Sequence, residues 1–579
     1  MAYDLRSEPW VPYRRRSGRV EWGSPALLTD GLAEDPVVGF AAPRADFDGA
    51  LHEFFVGLLG MALEPADEAA WYTRWRTPPA PDELRAALAD LPDGFDLDGV
   101  GPRAFQDLSA VDLADAEPTP IAQLLIEAPG EQTTKLNKDL FAKRGGAGQL
   151  GRPAAAMALL TMQTYAPSGG QGHRTSLRGG GPLTTLVDPR TAVDEARLGA
   201  GRQPLWYKLW ANVETLEQLA ARPWGEAATG PEHALPWLAP TRTSKGDRGT
   251  APTDAHPLQA YFGLPRRIRL EFAGPGLCAL TGAEDANVAT GFRMRNYGVQ
   301  YVGWQHPLTP HYQNKLEWLP MHGQPGGVGW KDWVTLTLDE PSATRRPARA
   351  VAHFLAERAR RVGCREVSVH AFGYDMDNMK ARGWVDASLP AFVLPSEDAR
   401  ARLAALARRL TEATGLAGAA LLSAVQRALF ASGEDAPGED KLGVRAELWD
   451  ATARPFYARL REVAGWDAQG DVGAALAEVA AGFRAELAAA ACAVFDHRCP
   501  AAGLTPEAMR RLVGARFSLV MTLQGHSKLG RSLCEALGIP APEPAPKPAD
   551  KQPPAAKSAG ARKTAAKRAR PPAPTTPPA

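Results

Sequence analysis

From about Ser396 the chain changes texture: Ala, Leu, Arg and Glu dominate, and four long helical patterns follow at roughly 398–432, 442–465, 471–497 and 505–537. Short breakers separate them, among them Ser432-Gly433-Glu434-Asp435 and Pro500. Apolar residues recurring at the helical period give each segment one face to bury. Helices joined by short loops bury such faces most economically as antiparallel neighbours. A four-helix bundle over residues 396–538 is therefore predicted. It cannot be the whole molecule, because 579 residues exceed what a single core supports.

Residues 1–395 read differently, mixing short strand-like runs, amphipathic helices and many Gly/Pro turns. In Leu51–Leu63 the residues Leu51, Phe54, Phe55, Leu58, Leu59 and Ala62 keep the helical period, which marks a core helix. No fixed-period repeat is present, so a solenoid is not expected. Residues 539–579 are Pro/Ala/Lys-rich, cannot bury a core and are expected to be disordered. The fold class is thus α+β: a large mixed α/β N-terminal domain (1–395), a C-terminal four-helix bundle (396–538) and a disordered tail.

Charge is unevenly placed. Lys547 to Ala579 holds eight Lys/Arg against one acidic residue, Asp550, while the whole chain carries a net +1, so the remainder is about six units negative. That excludes a globally basic nucleic-acid binder and leaves room only for local contacts, or for an assembly that supplies the rest of the field. No apolar run has the length of a membrane span, and the N-terminus lacks the apolar stretch of a signal peptide, so a cytoplasmic location is expected. Five cysteines (278, 364, 492, 499 and 534) in so long a chain are no disulfide framework.

Ser168 to Val187 contains six glycines, His173, Arg174 and Arg178, and ends in the strand-like Leu183-Thr-Thr-Leu-Val187. A ribbon with so few Cβ atoms can approach another polymer closely, and the cations supply charge beside it. A flexible linker is the plainer reading of such a run. A linker seldom follows a helical pattern such as Pro153 to Tyr165 and ends in a strand.

Enzyme signatures fail in turn. There is no GxxxxGK[ST], no HExxH and no GxSxG, and Gly170-Gln-Gly172 lacks the third glycine of a dinucleotide fingerprint. Tyr374 to Asn378 carries two carboxylates, but Lys380 stands where a calcium loop needs glycine. Cys492, His497 and Cys499 lack the fourth ligand and the spacing of a structural zinc site. No enzyme activity, no metal and no cofactor are expected. A stand-alone enzyme with an unrecognised active site is the alternative.

The order of segments carries the most specific signal. Glu8-Pro-Trp-Val-Pro12 and Phe105-Gln106 are followed by Thr119-Pro-Ile-Ala-Gln-Leu-Leu125 and Lys135-Leu-Asn-Lys138. Then come Ser176-Leu-Arg-Gly-Gly-Gly-Pro-Leu-Thr-Thr185, Gly303-Trp-Gln-His-Pro-Leu-Thr-Pro310, Phe372-Gly-Tyr-Asp-Met-Asp-Asn378 and the helical bundle. This order resembles the CasA family, the large subunits of the type I-E CRISPR surveillance complex Cascade, from near residue 5 to about 537.

The resemblance implies a non-catalytic reader of double-stranded target DNA. Such a subunit recognises the protospacer-adjacent motif, promotes strand separation and R-loop formation, and helps recruit a helicase-nuclease in antiviral defence. Its implied partners are the other Cascade subunits, guide RNA, the target duplex and the displaced strand, with no membrane.

Transferred residue by residue, a glycine loop falls on Gly169, Gly170, Gln171 and Gly172, with His173 and Arg174 adjoining. A lysine finger falls on Lys315, the only Lys or Arg between His311 and Lys331. A wedge falls on Asn378, flanked by Asp377 and Met379, where relatives carry a longer glutamine. Lys135, Asn137 and Lys138 fall in a loop that docks onto the complex near the guide's 5′ end. Some relatives bind zinc through paired cysteines; here the matching region has a lone Cys278, and no metal is expected.

Overall fold

The computed structural model describes residues 2–109, 113–137, 139, 146–189, 203–222, 227–340, 344–377, 380–430, 438–466 and 472–543. Most of the Pro/Ala/Lys tail, from residue 544 onward, lies outside them. The strands used below are β1 (Val11–Arg15), β2 (Val20–Gly23), β3 (Val37–Phe40), β4 (Pro118–Pro120), β5 (Leu183–Pro189) and β6 (Arg267–Phe272). They continue with β7 (Ala289–Arg295), β8 (His311–Asn314), β9 (Glu317–Pro320), β10 (Arg345–Arg346), β11 (Glu366–Asp377) and β12 (Lys380–Phe392). They form small antiparallel sheets in the orders β2-β1-β3, β4-β7-β6, β9-β8-β10 and β12-β11-β5.

The spine of this mixed region is helix α1 (Ala45–Leu63), which begins six residues before the apolar pattern anticipated from Leu51. It is buried almost all round, from Asp46 to Gly60, and the polar Asp46, His52 and Glu53 are buried along with its apolar residues. Helix α2 (Arg152–Tyr165) packs on it and is itself buried from Ala154 to Thr161, with alanine at 154, 155, 156 and 158. Phe54, Phe55, Trp71, Trp210 and Trp237 fill the surrounding core.

Beyond Ser396, whose hydroxyl caps the helix by accepting from Ala399 N at 3.2 Å, runs α3 (Glu397–Leu429). It is followed by α4 (Gly438–Ala464), α5 (Val472–Arg498), α6 (Pro506–Leu523) and α7 (Lys528–Leu537). Helix α3 packs against all four of the others and buries Leu403, Leu406, Leu410, Ala417 and Leu421. The fourth expected helix, 505–537, is two helices. The chain turns at Gly525 (φ +95°), Ser527 caps α7 by accepting from Gly530 N at 3.0 Å, and Gly530 sits where a Cβ would lie 2.2 Å from Thr522 O. Periodicity alone did not reveal this break, because apolar residues continue on both sides of it.

The helical core also takes in Leu183, Ala371 and Leu389 of strands β5, β11 and β12, and Trp330 and Trp333 from short helical turns. Residues up to Ala541 form one compact unit.

Candidate nucleic-acid interface

The glycine segment divides into two parts. In the first, Gly170 and Gln171 are exposed, and a Cβ on Gly170 would meet open space. The loop is held from beneath: Tyr297 N donates to Gly172 O at 2.8 Å, and Asn296 Nδ2 donates to Gln171 O at 2.9 Å. Gly172 has φ +80°, and a Cβ there would lie 2.8 Å from the Asn296 side chain, so the turn requires glycine. Arg174 is tied down too: its Nε donates to Ser244 Oγ at 2.7 Å, and Asp247 lies 3.8 Å away. Burial, then the nearby Arg266, lowers the His173 pKa below the ordinary imidazole range, so at neutral pH His173 adds no charge. The exposed edge is therefore glycine backbone and the uncharged Gln171.

The second part is internal. Arg178, expected to supply charge beside the loop, is instead buried. It donates to Glu53 Oε2 at 2.6 Å, Thr184 Oγ1 at 2.9 Å and Thr309 Oγ1 at 3.0 Å. Tyr165 and Thr184 donate to the other Glu53 oxygen, both at 2.7 Å, which completes a satisfied network against α1. An arginine committed to a buried carboxylate and two hydroxyls is not free to meet a phosphate, and removing its partner would strand a buried charge.

At Gly181 to Gly323 the chain crosses itself. Leu183 N donates to Met321 O at 2.9 Å, Pro182 bridges His322, and Gly323 bridges Asp375 of β11. His322 Nε2 donates to Arg178 O at 3.1 Å. A Cβ would lie 2.3 Å from Met376 Cγ at Gly181 and 2.6 Å from Tyr374 O at Gly323, so three strands of backbone meet where only glycine fits. The crossing ties the glycine segment, the chain leaving β9 and the β11–β12 ribbon to one point of the fold.

Lys315 stands at the tip of the β8–β9 hairpin, in a two-residue loop closed by the Asn314–Glu317 pair. It is exposed, at φ +56°. The stem is fixed by Arg346 stacked 4.1 Å over Trp318 and by buried His311, whose pKa burial and Arg346 push down to about 3. His306 is likewise a packing residue, accepting from Leu308 N at 3.1 Å.

The ribbon beyond the sheet runs from Tyr374 to Asp377 and back from Lys380 to Trp384, with a bulge at Asp375–Met376 that sets Arg382 out of register. Arg382 donates to Asp375 Oδ1 at 2.6 Å and lies 3.9 Å from Asp377, which offsets the negative charge these two carboxylates would otherwise turn toward a phosphate. These acidic residues are on a strand, which removes the calcium-loop reading. Asn378 and Met379 lie outside the described residues.

Residues 4–494 match the family described as CRISPR-associated protein Cse1. This chain belongs to the Cse1 family. Solved Cse1 structures share its fold: that from Acidimicrobium ferrooxidans superposes with a TM-score of 0.63 at 19% identity, over 93% of this chain and 99% of that one. Cse1 from Thermobifida fusca gives 0.65 at 17% identity, over 93% and 98%. A chain of a CRISPR RNA-guided surveillance complex gives 0.62 at 17%, over 90% and 99%. The resemblance carried by motif order, to CasA, is thereby borne out.

The remaining expected positions of this Cse1-family chain lie elsewhere. Lys135 is exposed at the end of a short helix, Glu131–Lys135; Asn137 follows at φ +51°, and Lys138 is outside the described residues. Cys278 is buried in a small hairpin, its N donating to Ala283 O at 2.8 Å. Cys499 is buried, its thiol pushed up to about 11 by burial, while His497 is exposed beside Glu447. Among the described residues no three His, Cys, Asp or Glu side chains converge as metal ligands, and no helix is long and apolar enough to cross a membrane.

Sequence reasoning missed Asn296, Tyr297 and His322, the residues that support the loop and the crossing. Asn296-Tyr297-Gly298 carried a turn signal, but nothing tied it to residues 171–172, more than a hundred positions away.

Proposed function

We propose that this chain is the non-catalytic large subunit of a type I-E Cascade complex, reading a motif that flanks the target in duplex DNA and starting strand separation. The supporting observation is the crossing at Pro182, His322, Gly323 and Asp375, which anchors a bare glycine loop, a lysine-tipped hairpin and a protruding ribbon to one framework. A narrow minor groove excludes bulky side chains but admits backbone, and its floor offers acceptors to a lysine. Sequence beyond the flank is left to pairing with guide RNA, as in RNA-guided effectors generally. Lys135 and Asn137 then serve complex docking. Helices α3 to α7 hold the displaced strand, and the subunit helps bring in a helicase-nuclease, all in the cytoplasm.

An enzyme reading has one arrangement in its favour, the chain Lys208 Nζ to His370 Nδ1 (2.9 Å) and His370 Nε2 to Asp386 (3.1 Å). Burial and Lys208 lower the His370 pKa, and both ring nitrogens are already engaged, by Lys208 and Asp386, so the arrangement serves packing better than acyl transfer.

Co-expression with the other Cascade subunits and guide RNA tests the proposal. The chain should enter a large ribonucleoprotein, and leaving it out should abolish discrimination between duplexes that differ only in the flank. Equal discrimination with and without the chain would contradict it.

A further inference from the structure

Two cavities flank the helical segment from Arg349 to Arg361. The smaller, about 230 Å³, is lined by Glu214, Gln218, Arg349, His353 and Arg358; the wider, about 590 Å³, has an apolar wall of Leu338, Leu355, Ala356, Phe392 and Leu394. Arg349 and His353 line both, so the two are compartments of one recess. Their division is built into the backbone. Phe354–Arg358 is a π-helical turn, with Ala359 N donating to Phe354 O five residues back, and Leu355 and Ala356 line the wider compartment while Arg358 lines the smaller. Single π turns recur at functional sites.

Charge in the smaller compartment does not balance. Arg222 Nη2 lies 2.5 Å from Glu214 Oε2 and Arg349 Nη2 lies 2.7 Å from Glu214 Oε1, while Arg358 donates to both oxygens of Glu68, at 3.0 and 2.7 Å. Three guanidiniums thus face two carboxylates, and all four carboxylate oxygens are engaged. Burial holds the pKa of Arg222 and of Arg358 below the usual guanidinium value, the mark of cations short of compensating charge.

Hydrogen-bond donors are left over as well. The Gln218 amide oxygen accepts from Thr215 N and Arg358 Nη2, but among the described residues nothing accepts from its Nε2, and the buried Arg349 Nε has no hydrogen-bond partner. Arg349 still keeps 37% of its side chain open. A surplus of charge and donors at one end suits an acceptor-rich anion, and an apolar wall beyond it suits an organic body. The combined volume is that of a small-molecule site.

We propose that this recess binds a small organic phosphate of about the size of a mononucleotide, its phosphate at Arg349 and Gln218 and its body against Leu355, Phe392 and Leu394. None of these residues belongs to the glycine loop, the β8–β9 hairpin or the ribbon. The proposal therefore goes beyond the reading of DNA and fails or stands separately from it.

Adenosine 5′-monophosphate, inorganic phosphate and adenosine are the probes, each at about 5 mM with the purified full chain in phosphate-free, low-salt buffer. The monophosphate should raise the thermal unfolding midpoint by about 2 °C or more, inorganic phosphate less, and adenosine not at all. Arg349→Met leaves two guanidiniums facing two carboxylates. It should keep or raise the ligand-free midpoint and weaken monophosphate binding at least about tenfold in calorimetry. Ala356→Trp fills the wider compartment without touching the charged cluster, and should abolish the response to the monophosphate while leaving the ligand-free midpoint in place. No response of the wild-type chain to the monophosphate would overturn the proposal, as would an equal response to adenosine or wild-type affinity in both variants. Equal responses to inorganic phosphate and the monophosphate would mean an adventitious ion only, and would overturn it too.

Discussion

Ser168–Arg174 and Ser176–Pro182 are neighbours in sequence and nearly alike in composition, each with three glycines and one arginine. In three dimensions they have opposite lives. The first presents Gly170 and Gln171 to solvent, with Arg174 turned to Ser244; the second runs inward, with Arg178 locked onto Glu53 and Gly181 pressed against Met376. Glycine therefore answers two different needs within fifteen residues. In one, the missing Cβ leaves room for a partner; in the other, it leaves room for the protein's own backbone.

Substitutions that break this contrast should separate stability from binding. The largest effect is expected for Glu53→Ala, which strands the buried Arg178 charge and should cost about 3–5 kcal/mol in urea or thermal unfolding. Gly181→Val comes next, at about 2–4 kcal/mol by the same measurement, because the new side chain meets Met376 and the position has φ +67°. Gly170→Trp should leave unfolding within about 0.5 kcal/mol of wild type yet weaken binding of flanked duplex by the assembled complex about tenfold or more. Were Gly170→Trp to destabilise the fold as Gly181→Val does, the two halves would not differ as described.

The smallest effect concerns His173. Burial lowers its pKa in the folded protein, so the unfolded chain takes up the proton at higher pH than the native loop does. The neutral imidazole's contribution is complete above the unfolded pKa and is lost as pH falls through it toward the folded value. His173→Gln should therefore flatten the acid side of the stability profile slightly, and should leave duplex affinity unchanged between pH 7 and pH 8.

Much of the architecture was legible because it rests on local periodicity. The core helix around Leu51–Leu63, α2, β5 and three of the long C-terminal helices all follow from patterns within one segment. The break at Gly525 escaped notice because its cause, close approach of Gly530 to Thr522 O, is tertiary. The site was legible by motif order and not by role. Arg174 and Arg178 look equivalent in sequence, and only the position of Glu53, over a hundred residues earlier, decides that one is core. His173 counts as a cation on paper and is neutralised by its burial. Arg382 as the partner of Asp375 depends on a bulge that no sequence pattern announces.

The most direct measurement places a photo-crosslinking amino acid, p-benzoylphenylalanine, at Gln171 in the exposed half and, separately, at exposed Phe517 on α6, then irradiates the assembled complex on target DNA with a radiolabelled flank. If the bare loop is the groove reader, the Gln171 probe links to the flanking duplex and the Phe517 probe does not. Flank crosslinks from Phe517 with none from Gln171 would contradict it.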